Sequence, residues 1–198
     1  MQLILGEELT EFENTETGVA QILHTIEEKA VATQLVFSHL IIDGVAVYED
    51  FAEYMHSNLD DIEIVQVQFM TLKEYMQSVL ISASEYLQRA IPAVEQLAET
   101  IYTQVDADSW RQINQFIEGI QWLYDSFTAM DNLPDLANLV NDYEQWNLYS
   151  QALNELVEAV TAISEPLNYA DHVSVSDIML YEIKPAMEKL YTNLSLLI

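Results

Sequence analysis

Residues 60–102 read DDIEIVQVQFMTLKEYMQSVLISASEYLQRAIPAVEQLAETIY, and the apolar repeat changes partway along. Over residues 62–70 it alternates. Val65, Val67 and Phe69 fall on one face of an extended strand, because successive side chains point to opposite sides. From Leu72 the apolar positions step by three and four, through 76, 79, 83, 86, 90, 94, 97 and 101, which draws one stripe along a helix. The change of period falls between residues 70 and 71. It predicts a small mixed part over residues 1–70 and a helical part over 71–198, joined with no flexible Gly, Ser or Pro linker.

Upstream of that change, residues 2–5 form a short strand candidate, followed by an acidic, turn-like stretch to Thr17. Val19, Ile22, Leu23, Ile26 and Ala30 mark a helix, with Glu27, Glu28 and Lys29 on its polar side. QLVFSHLII and VAVY then flank Asp43-Gly44, a strong hairpin signal because a type I′ turn needs positive φ at both central residues. A short helix over residues 49–58 follows, with Phe51, Tyr54 and Met55 inward. The order β-α-β-β-α-β is that of a ferredoxin-like unit, which carries both helices on one face of an antiparallel sheet. The other face then displays Ile64, Gln66 and Gln68, a half-apolar surface to be covered by another domain, a ligand or a second copy.

Downstream the pattern predicts four helices and no strand. The first contains Pro92, which removes a backbone donor and clashes one turn back, so a kink near residues 88–91 or a split into two helices is expected. The second runs from an Asp106 or Asp108 cap to about Met130, with Trp110, Ile113, Ile117, Ile120, Tyr124 and Phe127 as its stripe. The third extends from Leu136 to Ile163. The fourth starts at a Ser174 or Ser176 cap and is bent by Pro185. Short connections favour antiparallel neighbours, so the fold class is α+β: the small unit, then an antiparallel bundle of four helices, or five if the first is kinked.

Composition narrows the function more than any motif does. The 198 residues carry 33 acids against six bases, a net charge of −27, and no cysteine. Disulfides, thiolate metal sites and Cys nucleophiles are thereby excluded. Direct nucleic-acid binding requires clustered Lys and Arg, and anionic membrane surfaces repel such a chain. MQLILGEELTEFEN has no basic region and no apolar stretch of signal-peptide length, and no run approaches the roughly 18 residues of a membrane span. A cytoplasmic protein is expected.

Chemistry-bearing patterns are sparse. There is no G-x-S-x-G elbow, and Ser38 and His39 are expected on opposite faces of their strand. The four scattered glycines permit neither a P-loop nor a dinucleotide fingerprint. Glu53-x-x-His56 matches half of a di-metal pattern that needs two such pairs, and Asp171-His172 stands in a loop; both read as solvated side chains, with no cofactor expected. Glu118, beside Gly119 in an aromatic helix, is the isolated acid worth locating, and close packing is the expected reason for the glycine. Trp122 and Trp146 lie near the edges of their stripes, where exposed aromatics favour interfaces.

The expectation is a non-catalytic, acidic interaction or assembly protein of adaptor or chaperone-like kind, acting on a protein partner, a basic one included, or on a second copy of itself as a homo-oligomer. Its contact residues are Ile64, Gln66, Gln68, Trp122 and Trp146. The alternatives are a small-ligand sensor using the first unit, and a carboxylate-based metal-binding or enzymatic bundle.

Overall fold

The computed structural model describes residues 1–103 and 105–198. It is mixed α and β; among the described residues the strands lie at the N-terminal end, with a helical region after them. The chain divides into two compact units, residues 1–75 and 76–198.

In the first unit β1 (Gln2–Leu5) turns at Gly6 into β2 (Glu8–Glu11), and α1 (Glu16–Thr33) follows. Then come β3 (Val36–Ile42), β4 (Val45–Val47), α2 (Phe51–Ser57) and β5 (Ile64–Met70). The strand β2 lies in the stretch expected to be an acidic turn. It forms because Gly6 adopts φ 63° at the first of two loop residues, the place where a tight hairpin accepts glycine best. All four β2 residues are exposed, and the charges on Glu8 and Glu11 suit an outer edge that must not recruit further strands. Asp43 and Gly44 both have positive φ, 48° and 85°, as the β3–β4 hairpin requires. The Asp43 carboxylate also accepts the Ile64 N–H at 2.7 Å, tying that turn to the start of β5.

The sheet is not ferredoxin-like. Its order is β2-β1-β5-β3-β4, with β5 parallel to β1 and antiparallel to β3. Strand length explains the departure. A ferredoxin-like order would put the four-residue β1 and the three-residue β4 in the centre, leaving the seven-residue β3 and β5 as edges with unpaired backbone groups. Side by side in the middle, the two long strands satisfy each other. Leu3, Leu5, Leu40, Ile42, Val65 and Val67 then share one face and pack on Val19, Ile22 and Ile26 of α1 and Met55 of α2. A bulge at Ser38 breaks the β3–β5 register and returns Phe37 to this core face, where it meets Phe51 and Phe69 edge-on at 5.0 and 6.3 Å.

Thr71 opens α3 (Leu72–Thr103) with a capping box: its N–H is accepted by the Glu74 carboxylate at 2.7 Å, while its hydroxyl accepts the Glu74 N–H at 3.2 Å. This helix runs unbroken through Pro92 and is not split in two. Burial on both sides of the proline, at Leu87 and Val94, supplies packing that outweighs one missing hydrogen bond.

The second unit continues with α4 (Ala107–Asp131), the single turn α5 (Leu136–Leu139), α6 (Tyr143–Ala162), the short α7 (Ser164–Asn168) and α8 (His172–Ile178). A π-helical turn over Met179–Ile183 leads into α9 (Lys184–Ser195). The expected third helix is thus interrupted. Asp142 halts it by capping α6, its carboxylate accepting the Glu144 and Gln145 N–H groups at 2.9 and 3.0 Å. Asp171, rather than either serine, caps α8 by accepting the Ser174 N–H at 3.1 Å. The expected position of the bend, before Pro185, holds this widened turn, closed by a hydrogen bond from the Lys184 N–H to the Met179 carbonyl.

Contacts within this unit set the helix directions. Tyr86 meets residues on α4 about as far past the connection as Tyr86 precedes it, so α3 and α4 run antiparallel. Phe127 stacks on Trp146, while Ile117 and Tyr124 line a groove with Val157 and Val160, which makes α4 and α6 antiparallel too. Gln145 bonds Asn193 and Lys189 pairs with Glu155, placing α9 antiparallel to α6. One apolar core, from Met76 to Leu197, joins them all.

Candidate interaction surfaces

In the first unit the sheet face opposite the core carries Ile4, Ile41, Ile64, Gln66 and Gln68, aligned by the register Ile4–Gln66 and Gln66–Ile41. Ile64 is 36 % exposed; the two glutamines are half-buried. Beside them His39 stacks on Tyr48 at 4.6 Å. The Ser38 bulge also brings Ser38 Oγ to 2.9 Å from His39 Nδ1, although alternation had placed these side chains on opposite faces. Among the described residues nothing bonds the other ring nitrogen, so the orienting third member that activates a serine is missing.

The second unit presents α4 as its most aromatic surface. Its inward face is Ile113, Phe116, Ile120, Leu123 and Phe127. On one flank Trp110, Ile117 and Tyr124 recur every seven residues and remain 38 to 42 % exposed. Ile117 and Tyr124 border a groove of about 430 Å³ against α6, lined also by Ile120, Val157 and Val160, with Gln121, Thr161 and Ser164 as polar members. No Lys or Arg lines it.

The other flank faces α3. Gly119 receives the Tyr86 ring there, and Trp122 meets that ring edge-on at 6.3 Å. Burial pushes the Tyr86 hydroxyl up to about 12, because the phenolate is poorly solvated. Next to it lies a groove of about 400 Å³, walled by Tyr86, Arg89, Ala90, Ala93, Val94 and Leu97 of α3 and by Gln112, Gln115 and Phe116 of α4.

The residues singled out by sequence therefore have different fates. Ile64, Gln66 and Gln68 share the open sheet face, and Trp122 is 40 % exposed on α4. Trp146 is corrected: at 1 % exposure it belongs to the core, stacked on Phe127 at 5.3 Å with its indole N–H donated to Asp131 at 2.8 Å. Glu118 is exposed and has no apolar pocket around it. Glu53 and His56 are exposed on α2, and Asp171 is occupied as a helix cap. Among the described residues no group of three or more His, Asp or Glu gathers to hold a metal. Helical spacing assigns Trp110, Ile117 and Tyr124 to the apolar stripe of α4 and so hides them as a surface; their regular seven-residue interval is the available signal.

One family model matches residues 78–193, more than half of the chain, from within α3 to within α9. The chain belongs to the family described as a domain of unknown function (DUF8042). The match covers both grooves that flank α4 and leaves out the sheet. Among curated proteins and solved structures, none matches the chain. Among the described residues, no helix is long and apolar enough to cross a membrane.

Proposed function

We propose that this protein is a non-catalytic interaction module whose α4–α6 groove receives an amphipathic helix with a basic outer face. The observation that carries this reading is the Trp110–Ile117–Tyr124 stripe, apolar and evenly spaced yet two-fifths exposed, with Ile117 and Tyr124 lining a groove of about 430 Å³. A partner helix reads such a surface through anchors one and two turns apart, and partly exposed aromatics are the side chains most able to supply binding energy. Charge selects the partner. At −27 the chain attracts a basic segment over a range set by the Debye length, about 8 Å at physiological salt, and repels a second copy of itself.

The test uses a labelled amphipathic peptide of leucine and lysine, titrated with the full chain by fluorescence anisotropy. Saturable binding is expected, weakened at least tenfold in the double variant Ile117→Ser, Tyr124→Ser and unchanged in Trp122→Ser. Equal binding by all three proteins means that attraction to bulk negative charge accounts for it, and the groove assignment fails.

A further inference from the structure

We propose that the α3–α4 groove is a second, separate binding site, and that it takes a small monocarboxylic acid with an apolar tail, held head-first by Arg89. The argument starts from the scarcity of positive charge. Of six bases in the chain, Lys29, Arg111, Lys184 and Lys189 are ion-paired, and Lys73 also has a partner. Arg89 differs. Its Nε donates to the Glu85 carbonyl of its own helix at 3.2 Å, and among the described residues no carboxylate lies within ion-pair distance of it. In a chain with 33 acids, an arginine left without one is the least expected of the six.

Its position gives that unpaired charge a use. Arg89 lines the apolar groove together with Tyr86. Ala90 and Ala93 contribute small side chains to the lining, and Val94, Leu97 and Phe116 add hydrocarbon surface. A planar guanidinium matches a carboxylate with two parallel hydrogen bonds, and such charge-assisted pairs are about twice as strong as neutral ones. On the facing wall the Gln115 side-chain amide makes no hydrogen bond among the described residues, so its N–H is available to the same head group. A volume of about 400 Å³ falls within the range of small-molecule sites, which are mostly apolar with a few convergent polar groups. The single cation sets the ligand's charge at one. A phosphate dianion or an acidic peptide would bring more negative charge than Arg89 offsets, against the field of the remaining surface.

This site does not depend on the helix-binding reading of the α4–α6 groove. Decanoate, kept below its micelle concentration, is titrated into the full chain by calorimetry, with decanol as the uncharged probe. The expected result is saturable one-site binding of decanoate, at least tenfold weaker binding of decanol, and at least tenfold loss in Arg89→Gln. Ala93→Trp, which places a large side chain in the groove, is expected to abolish binding, while Arg89→Lys retains part of it. Circular dichroism confirms that the variants are folded. Absence of saturable binding overturns the proposal, as does a decanol affinity equal to that of decanoate. Wild-type affinity in Arg89→Gln or in Ala93→Trp overturns it too. The leucine–lysine peptide is expected to bind Arg89→Gln as it binds the native chain, so failure of either site is seen apart from the other.

Discussion

Tyr86 and Gly119 approach so closely that a Cβ on Gly119 would stand 2.0 Å from the Tyr86 hydroxyl oxygen and 2.4 Å from Cζ. Glycine in a helix interior costs about 1 kcal/mol against alanine, and here that cost admits an aromatic ring between α3 and α4. The ring in turn walls the groove proposed to bind a carboxylic acid and meets Trp122.

Gly119→Ala is therefore expected to lower stability in the native background, because the ring must leave its place. In a Tyr86→Ala background the same change is expected to raise stability by about 0.5–1 kcal/mol, the gain in helix propensity with nothing left to collide. Urea unfolding of the four proteins in this cycle reads the reversal of sign, and a gain in both backgrounds would sink the packing account.

Alkaline pH should expose the same residue. The Tyr86 hydroxyl ionises at about 12 when folded, against about 10 when unfolded, because burial disfavours the phenolate. Its contribution to stability is intact below about pH 10 and is lost as pH rises from there to about 12, since only the unfolded chain releases the proton in that window. Tyr149 is pushed up by burial as well and adds in the same direction. Unfolding measured across this range is expected to show a steep decline that is shallower in Tyr86→Phe.

The three tryptophans should separate in a quenching experiment. Trp110 and Trp122 are 42 and 40 % exposed, whereas Trp146 is enclosed by Phe127 and Tyr149 and bonded to Asp131. Single-tryptophan variants are expected to show blue-shifted, quencher-resistant emission for Trp146 alone. Trp146→Ala is expected to cost about 3–5 kcal/mol, the range for emptying a large aromatic from a core. A readily quenched Trp146 contradicts the assignment.

Asp106 opens α4 by accepting the Ser109 N–H at 2.8 Å, and this bond holds its carboxyl below the ordinary aspartate range. A lowered folded value means that the stabilisation is present above about pH 4, the unfolded value, and is lost as pH falls through the folded one. Asp106→Ala is thus expected to lower the melting temperature near neutral pH and to make a much smaller difference at about pH 2. Melts of both proteins across pH check it, and a constant difference at all pH values rejects the ionised cap.

The division of labour between chain and fold shows at particular residues. The alternation at Val65 and Val67, the Asp43-Gly44 turn and the helical stripe after Leu72 could all be read, because each depends on neighbours a few positions away. Periodicity says which face a residue takes. It does not say which strand lies next to which, and so the β5 insertion between β1 and β3 was missed; relative strand length, weighed across the whole unit, decides it. The Ser38 bulge escaped for a similar reason, since the residue it returns to the core, Phe37, finds its partners Phe51 and Phe69 at a distance along the chain.

The same boundary runs through the two grooves. Amphipathic spacing put Trp110, Ile117, Tyr124 and Trp146 alike on apolar stripes, and composition alone established the acidic surface and the shortage of bases. A stripe broader than the contact it serves leaves its margins in solvent. Which margin is closed depends on where the neighbouring helices pass, and that is a property of the assembled bundle. Packing on Phe127 and Tyr149 enclosed Trp146, the gap between α4 and α6 left Ile117 and Tyr124 uncovered, and the absence of an acid opposite Arg89 emerged only when α3 and α4 were placed side by side.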